Sequence, residues 1–426
     1  MKKLIIFYLT FFYLAFFCNA VAFAQLTLEE CYSKAQANYP LIKQYDLIDK
    51  SKNYDLSNAG KGYLPQVTFS AKATYQSDVT QLPVDFSQLG IQGADIPVLS
   101  KDQYGVTVDL NQAIWDGGVI KSKKEDIRTS SDINRKNLEV ELYSINDRVN
   151  QVFFGILLFD ARMKQNRLYQ EELQRNHDQV SSWIQNGIAS QADLDAVKVE
   201  QLKSMQTESQ LAHSRKAYLD ILSALTGEEL DSAATFVKPE TSPYISASIH
   251  RPELDLYSAR IKNLEIQNKA INAGLMPRLG IFLTGGYGKP GLNMLENEFS
   301  VYYIAGVNLS WNFSNLYSYK NNKQRIKNSI TSVQTRQETF LFNINMDISR
   351  KQSEVNKYRD QLKYDDDIIA LRKSIKQSSE AKMANGTLSG IDLMRDINSE
   401  ERARQDKILH EIEMLRAIYN LKYVTN

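Results

Sequence analysis

Leu138, Leu142, Ile145, Val149, Val152, Ile156, Phe159 and Met163 follow one another at alternating steps of four and three residues. That spacing is a heptad seam, the mark of a helix that lays one apolar stripe against partner helices. The seam runs on through Asn166, Gln170, Leu173, His177, Val180 and Ile184, so the sequence predicts one helix from about Val119 to Gln185. At 1.5 Å per residue it would be about 100 Å long. No single globular core is that wide, so other helices must cover the stripe. Asn186-Gly187 ends it with the two residues that best tolerate the left-handed conformation at a helix end. Heptad steps resume at Leu211, Tyr218, Leu222 and Leu225 and stop at Gly227, which makes the stretch a helical hairpin.

The plan recurs further along the chain. Leu341, Ile344, Ile348, Val355, Tyr358, Leu362 and Ile369 mark a second outgoing helix, Asn385-Gly386 a second turn, and Ile408, Ile412, Leu415 and Tyr419 a second return. The two turns read Asn186-Gly187-Ile188-Ala189-Ser190-Gln191-Ala192-Asp193-Leu194 and Asn385-Gly386-Thr387-Leu388-Ser389-Gly390-Ile391-Asp392-Leu393, identical at five of nine positions. All nine prolines lie outside residues 119–227 and 314–426, as expected if both stretches are helical.

Ahead of each long helix the period changes to two. Val67, Phe69, Ala71, Ala73 and Tyr75 alternate with polar residues, and Tyr104, Val106, Val108 and Leu110 do the same before Trp115-Asp116-Gly117-Gly118. The second half offers Leu279, Ile281, Leu283 and Tyr287, then the odd-numbered positions from Phe299 to Phe313. Alternation of this length with aromatics near the ends suits membrane-spanning strands. A shorter helical segment precedes each pair, about Thr27 to Ala59 and Pro252 to Ala273. The expected fold is therefore mainly α with a membrane β part, as two structural repeats, residues 25–237 and 238–426, joined through a linker at Lys238 to Arg251.

Lys2 and Lys3 before the apolar run Leu4 to Phe17, with Ala22-Phe23-Ala24 behind it, predict a signal peptide over residues 1–24. A membrane anchor is the other reading, but the run would make only about 21 Å of helix against a hydrocarbon core of about 30 Å. Cys18 raises a lipidated N-terminus, although Phe17 stands where a lipobox wants Gly or Ala. The mature chain carries 49 basic against 50 acidic residues and Cys31 as its one thiol. A chain so close to neutral lacks the concentrated basic face of a nucleic-acid partner.

Four strands cannot close a barrel, and an open edge in lipid leaves backbone groups unsatisfied at several kcal/mol each. Three copies would supply twelve strands, an even number within the range of outer-membrane barrels, and enough helices to continue it as a tube.

The opening Leu26-Thr27-Leu28-Glu29-Glu30, Tyr63-Leu64-Pro65, Ile114-Trp115-Asp116-Gly117-Gly118 and the paired Gly-x-x-x-x-x-Asp-Leu turns resemble the TolC-like outer-membrane efflux proteins across essentially the whole mature chain. The resemblance implies a homotrimer in the outer membrane of a Gram-negative bacterium. Its twelve-stranded barrel would meet outer-membrane lipid and continue into a periplasmic α-helical coiled-coil tunnel. The implied partners are a periplasmic adaptor (membrane fusion) protein and an inner-membrane pump or ABC transporter, in a tripartite efflux or type I secretion system. Adaptor docking would fall on Asn186, Gly187, Ile188, Asn385, Gly386 and Thr387. The family's constricting aspartates map to Asp392 and to a position held here by Arg395. The tyrosine and arginine that latch the tip elsewhere map to Met383 and Leu388, and the aspartate that partners that arginine maps to Asp193. Asp392 can be read as one third of a cation-selecting ring or as an acidic residue satisfying a helix N-terminus.

Other signals carry less. Gly285-Gly286-Tyr287-Gly288-Lys289-Pro290-Gly291 resembles a phosphate-binding loop but lacks the Ser or Thr after Lys289, and reads as a hairpin or extracellular loop. His177, His213, His250 and His410 show no metal spacing, no cofactor motif stands out, and no catalytic constellation can be assembled. Asp365-Asp366-Asp367 reads as a solvated face in which Asp365 alone meets the seam. The competing functions are an export duct, a periplasmic or surface coiled-coil scaffold or adhesin, and an envelope enzyme.

Overall fold

The computed structural model describes residues 25–80, 98–241 and 248–426. The expected signal peptide, Cys18 and part of the linker lie outside them. The elements are α1 (Leu28–Asn38), α2 (Gln44–Gly60), β1 (Gln66–Tyr75), β2 (Asp102–Trp115), α3 (Val119–Tyr143), α4 (Ile145–Gln185) and α5 (Gln191–Thr226). There follow α6 (Pro252–Ala273), β3 (Arg278–Lys289), β4 (Ser300–Ser310), α7 (Asn315–Ala384) and α8 (Gly390–Thr425). Two compact units emerge, and both draw on both halves of the chain. One combines residues up to Lys43 with Leu138–Pro252 and Thr339–Asn426, and the other combines Gln44–Asn137 with Glu253–Glu338. α3 and α7 supply residues to each.

In the sheet unit the four strands pair antiparallel in the order β1-β2-β3-β4. Registry carries the alternation across the sheet. Val67 stands beside Leu110, Leu110 beside Leu283 and Leu283 beside Ala305, the next row on that face runs Phe69, Val108, Gly285, Tyr303, and the one after it Ala71, Val106, Tyr287, Val301. The neighbouring row Thr68, Asp109, Thr284, Ile304 faces the other way, and there the Thr284 hydroxyl donates to Asp109 Oδ1 at 2.6 Å. Apolar side chains on the first face are exposed, including Phe69, Val301 and Tyr303. Gly285, Gly286 and Gly288 lie inside β3 rather than in the loop expected of them. At Gly286 the missing side chain leaves room for a neighbour, since the Tyr302 ring occupies the place a Cβ would take.

The two strand-to-helix junctions are held by different side-chain bonds. Asp116 is buried and accepts from the amides of Gly118 at 2.9 Å and Ile120 at 2.6 Å, opening α3. Ahead of α7 Asn312 closes a turn instead, accepting from the Ser314 amide at 3.0 Å before the helix begins. Asp116 thereby supplies an acceptor to an early amide of α3, which has no partner within the helix.

In the helical unit the seam residues Leu138, Leu142, Ile145, Val149, Val152 and Ile156 are buried, as are Leu173 and Val180. The helix expected over 119–185 is interrupted only at Ser144, whose hydroxyl turns back to the Glu141 carbonyl at 2.7 Å. The segment expected as one helix from Thr27 to Ala59 divides at Tyr39, which is extended at φ −64, ψ 129. Pro40 follows it, and a residue before proline is pushed out of the helical region. Phe153 stacks edge-on to both Phe154 and Phe236, and Arg251 lies over the Tyr143 and Tyr423 rings at 4.8 and 4.9 Å. Cys31 is fully buried, and burial pushes its thiol up to about 12, so it stays a thiol in the core.

Among the described residues no helix is long and apolar enough to cross a membrane.

Candidate functional site: the paired helical turns

α4 ends in a Schellman motif. Asn186 donates from Nδ2 to the Ser182 carbonyl at 3.0 Å, and Gly187 takes φ +71. The Ile188 amide then reaches back to Trp183 O at 2.9 Å. α7 ends the same way, with Asn385 Nδ2 on Ala381 O at 2.9 Å, Gly386 at φ +69 and the Thr387 amide on Lys382 O at 3.0 Å. Positive φ at these two positions is the reason Gly follows Asn in both turns. Ser190 and Ser389 then cap α5 and α8.

Asp193 and Asp392, equivalent in sequence, part company here. Asp193 is 8% exposed. Its Oδ2 accepts from the Ser190 amide at 2.9 Å and hydroxyl at 2.7 Å, closing a capping box, while its Oδ1 accepts from the Gly390 amide of the other turn at 2.7 Å. A Cβ on Gly390 would lie 2.5 Å from Asp193 Cβ, so the approach requires glycine. Burial pushes the Asp193 carboxyl up, but the donors of Ser190, Gly390 and Ile391 together hold it below the usual aspartate range. Asp392 instead takes the Ser389 hydroxyl at 2.7 Å and meets the exposed Arg395 guanidinium at 3.1 Å.

Behind the turns an apolar core joins both hairpins: Leu173, Val180 and Trp183 of α4, Val197 of α5, Met383 of α7, and Leu393 and Ile397 of α8. Met383 is 1% exposed, and Leu388 packs against the same cluster. The two residues standing where the resemblance expects a tyrosine and an arginine are thus part of an apolar contact. The site residues read from sequence fall into three settings. Asp193 is buried at the junction of the turns, Asp392 and Arg395 pair at the start of α8, and the two Asn-Gly turns with Ile188 and Thr387 form the ends of the hairpins.

Further along the helices lies a buried polar layer that no sequence motif announced. Lys376 of α7 pairs with Glu172 of α4 and, at 2.8 Å, with Glu400 of α8, which Arg404 also holds. Burial pushes the Glu400 carboxyl up, but Lys376 and Arg404 bring it below the usual glutamate range. Glu401, taking Gln165 and Gln405 amides at 2.7 and 2.8 Å, stays above that range because burial dominates, as it does at Glu380. The available signal was polar residues recurring near seam positions. Asp365 does meet the seam, and it is buried against His410 Nδ1 at 2.8 Å. Among the described residues no His, Cys, Asp or Glu group is placed to hold a metal ion.

Residues 31–228 match the family described as outer membrane efflux protein. That match covers a little under half of the chain. The chain as a whole shares its fold with solved outer-membrane channels. The likeness to the OprN outer-membrane channel has a TM-score of 0.66 at 13% identity, covering 94% of this chain and 90% of that one. The Neisseria gonorrhoeae MtrE channel, solved in an open state, gives 0.65 at 12%, covering 93% and 88%. The Campylobacter jejuni CmeC channel gives 0.61 at 12%, covering 94% and 86%. No curated protein sequence matches it.

Proposed function

We propose that this chain is an outer membrane efflux protein, the outer-membrane duct of a tripartite efflux or type I secretion system. In this reading it is a passive conduit rather than an enzyme, with its sheet in the outer membrane and its hairpins in the periplasm. The observation that carries the reading is the open sheet. Its strands of 10, 14, 12 and 11 residues suit a tilted membrane crossing, which needs about 9 to 11. Its exposed apolar face suits lipid, and β1 and β4 each have one unpaired edge within the sheet. Such edges must be closed by other copies in a hydrocarbon environment. Three copies closing a twelve-stranded barrel satisfy every edge.

The helical unit supports the same assembly. Tyr364, Ile368, Leu371 and Ile375 of α7 form a heptad stripe that is exposed in one copy, and Leu202 and Met205 of α5 are exposed at a comparable sequence distance from their own turn. We assign these two stripes to each other across neighbouring copies, which would close the hairpins into a tunnel. The two halves of the chain act as structural repeats, residues 25–237 and 238–426, so that the tube is pseudo-sixfold. The Asn186-Gly187-Ile188 and Asn385-Gly386-Thr387 ends offer the surface for a periplasmic adaptor, itself joined to an inner-membrane pump or ABC transporter.

Purified full-length protein should need detergent for extraction, crosslink as a trimer and conduct ions across a planar bilayer. Extraction without detergent into a monomeric form, with no conductance, would refute the duct and return the scaffold reading.

A further inference from the structure

Just behind the turns, α5 and α8 enclose an open groove of about 570 Å³. Its floor is apolar: Val199 and Ile391 are 48% and 60% exposed, and Met394 lies buried beneath them. Its charges are unequal. Glu200 is 18% exposed at its side chain and is held by Lys203 at 2.7 Å. Arg395 is occupied by Asp392. Arg402 lines the groove two turns beyond Arg395 on the same face of α8, and among the described residues no carboxylate lies within ion-pair distance of it. The other carboxylates along this part of α8 are engaged elsewhere: Asp396 by Ser379, Glu400 by Lys376 and Arg404, Glu401 by Gln165 and Gln405. Asn398 has its Oδ1 taken by the Tyr169 hydroxyl, which leaves its amide hydrogens as donors.

We infer that this groove binds amphipathic organic anions, with the apolar body on Val199, Ile391 and Met394 and the acid group on the guanidinium of Arg402. A guanidinium presents paired donors that fit a carboxylate or sulfonate, and it is more weakly hydrated than an ammonium. The apolar floor supplies affinity that a bare ion would lack. If the protein is a duct, the groove names a class of cargo that gathers beside its helical turns. That last step rests on the duct reading, whereas the binding site does not.

The test uses the full chain in lipid nanodiscs, titrated with 8-anilinonaphthalene-1-sulfonate and, separately, with the cation 1-naphthylmethylammonium. The sulfonate should bind and the ammonium should not. Arg402→Gln should weaken sulfonate binding at least tenfold and Arg402→Lys by less, while Val199→Asp should abolish it. Arg402 is exposed, so these variants should keep the wild-type circular dichroism and melting curve. Sulfonate affinity unchanged in Arg402→Gln, or equal affinity for the ammonium, overturns the site. A planar-bilayer measurement separates the two ideas. Conductance without Arg402-dependent binding keeps the duct and removes the site, and Arg402-dependent binding without conductance keeps the site and removes the duct.

Discussion

The two helical turns share Asn, Gly, Ser, Asp and Leu at matching positions, yet their aspartates work differently. Asp193 is buried and shared between two helix starts, since it completes the cap of its own helix and takes the first amide of α8. Asp392 remains at the surface beside Arg395. The difference traces to one pair of residues. Where the second turn has Gly390, the first has Gln191, and only a residue without Cβ lets a carboxylate reach the amide behind it. A repeated sequence has thus become one pin and one surface pair. The pin bonds to backbone, so it does not need the side chains that Met383 and Leu388 replace.

Gly390→Ala tests the pin most severely. The added methyl meets Asp193 Cβ and Oδ1 at 2.5 and 2.6 Å, inside any real contact, and both belong to anchored groups. Overpacking of this kind costs about 1 to 3 kcal/mol, and losing the charge-assisted hydrogen bond adds about 1.5 to 3 kcal/mol. Native-state hydrogen exchange should show the amides of residues 390–394 opening at least a hundredfold more often. Gln191→Ala, at the matching exposed position, should stay within about 0.5 kcal/mol of wild type. Equal effects of the two would erase the distinction between the turns.

Asp193→Asn is the next strongest change. It keeps the shape but sets an amide donor among donors that previously all faced a carboxylate, at an expected cost of about 1.5 to 3 kcal/mol. If the pin holds the hairpins together, this variant in a planar bilayer should also raise mean conductance, and unchanged conductance would limit the pin to local stability.

Acid sharpens the contrast without mutation. The Asp193 carboxyl is depressed in the folded state, so its stabilisation is complete above the unfolded value, about 3.9, and is lost as pH falls through its lower folded value. Glu401 behaves in reverse. Burial holds it above the usual glutamate range despite Arg404 and the Gln165 and Gln405 amides, with Glu172 adding to the rise, so lowering pH toward about 4.3 should strengthen the layer around it. Exchange rates, corrected for intrinsic pH dependence, should therefore show residues 398–404 gaining protection between neutrality and about pH 4.5. Residues 390–393 should hold theirs throughout that range and lose it only below. A common acid response in both segments would contradict the assigned shifts.

Periodicity made most of the fold legible. The heptad run from Leu138 to Ile184 and the alternations in 67–75 and 104–110 located helices and strands, because burial on one face forces those spacings. Two local features escaped it. Pro40 divides the first helical segment, and a glycine run that looks like a loop is a strand in which the Tyr302 ring fills the place beside Gly286. At the site, sequence could name Asp193 and Asp392 but could not say which one is buried, since that depends on which turn lies across the other. The Gln191 and Gly390 difference was the available signal. Its meaning appears only once the distance between the turns is known.

The smallest expected effect belongs to Asp392→Asn. In one copy Asp392 accepts the Ser389 hydroxyl and stands near a helix start, an arrangement worth about 0.3 to 1 kcal/mol. Arg395 at 3.1 Å offsets its charge locally. If Asp392 acts only on its own helix, the substitution should lower local stability by no more than that and leave the ion selectivity of a conducting channel unchanged. A ring of three such carboxylates would behave otherwise: removing three charges at a constriction should shift the reversal potential toward anions, and Arg395→Gln, by freeing Asp392, should shift it toward cations. The paired variants thus decide whether the exposed aspartate has any collective role, or whether the function of the turns rests on the buried one.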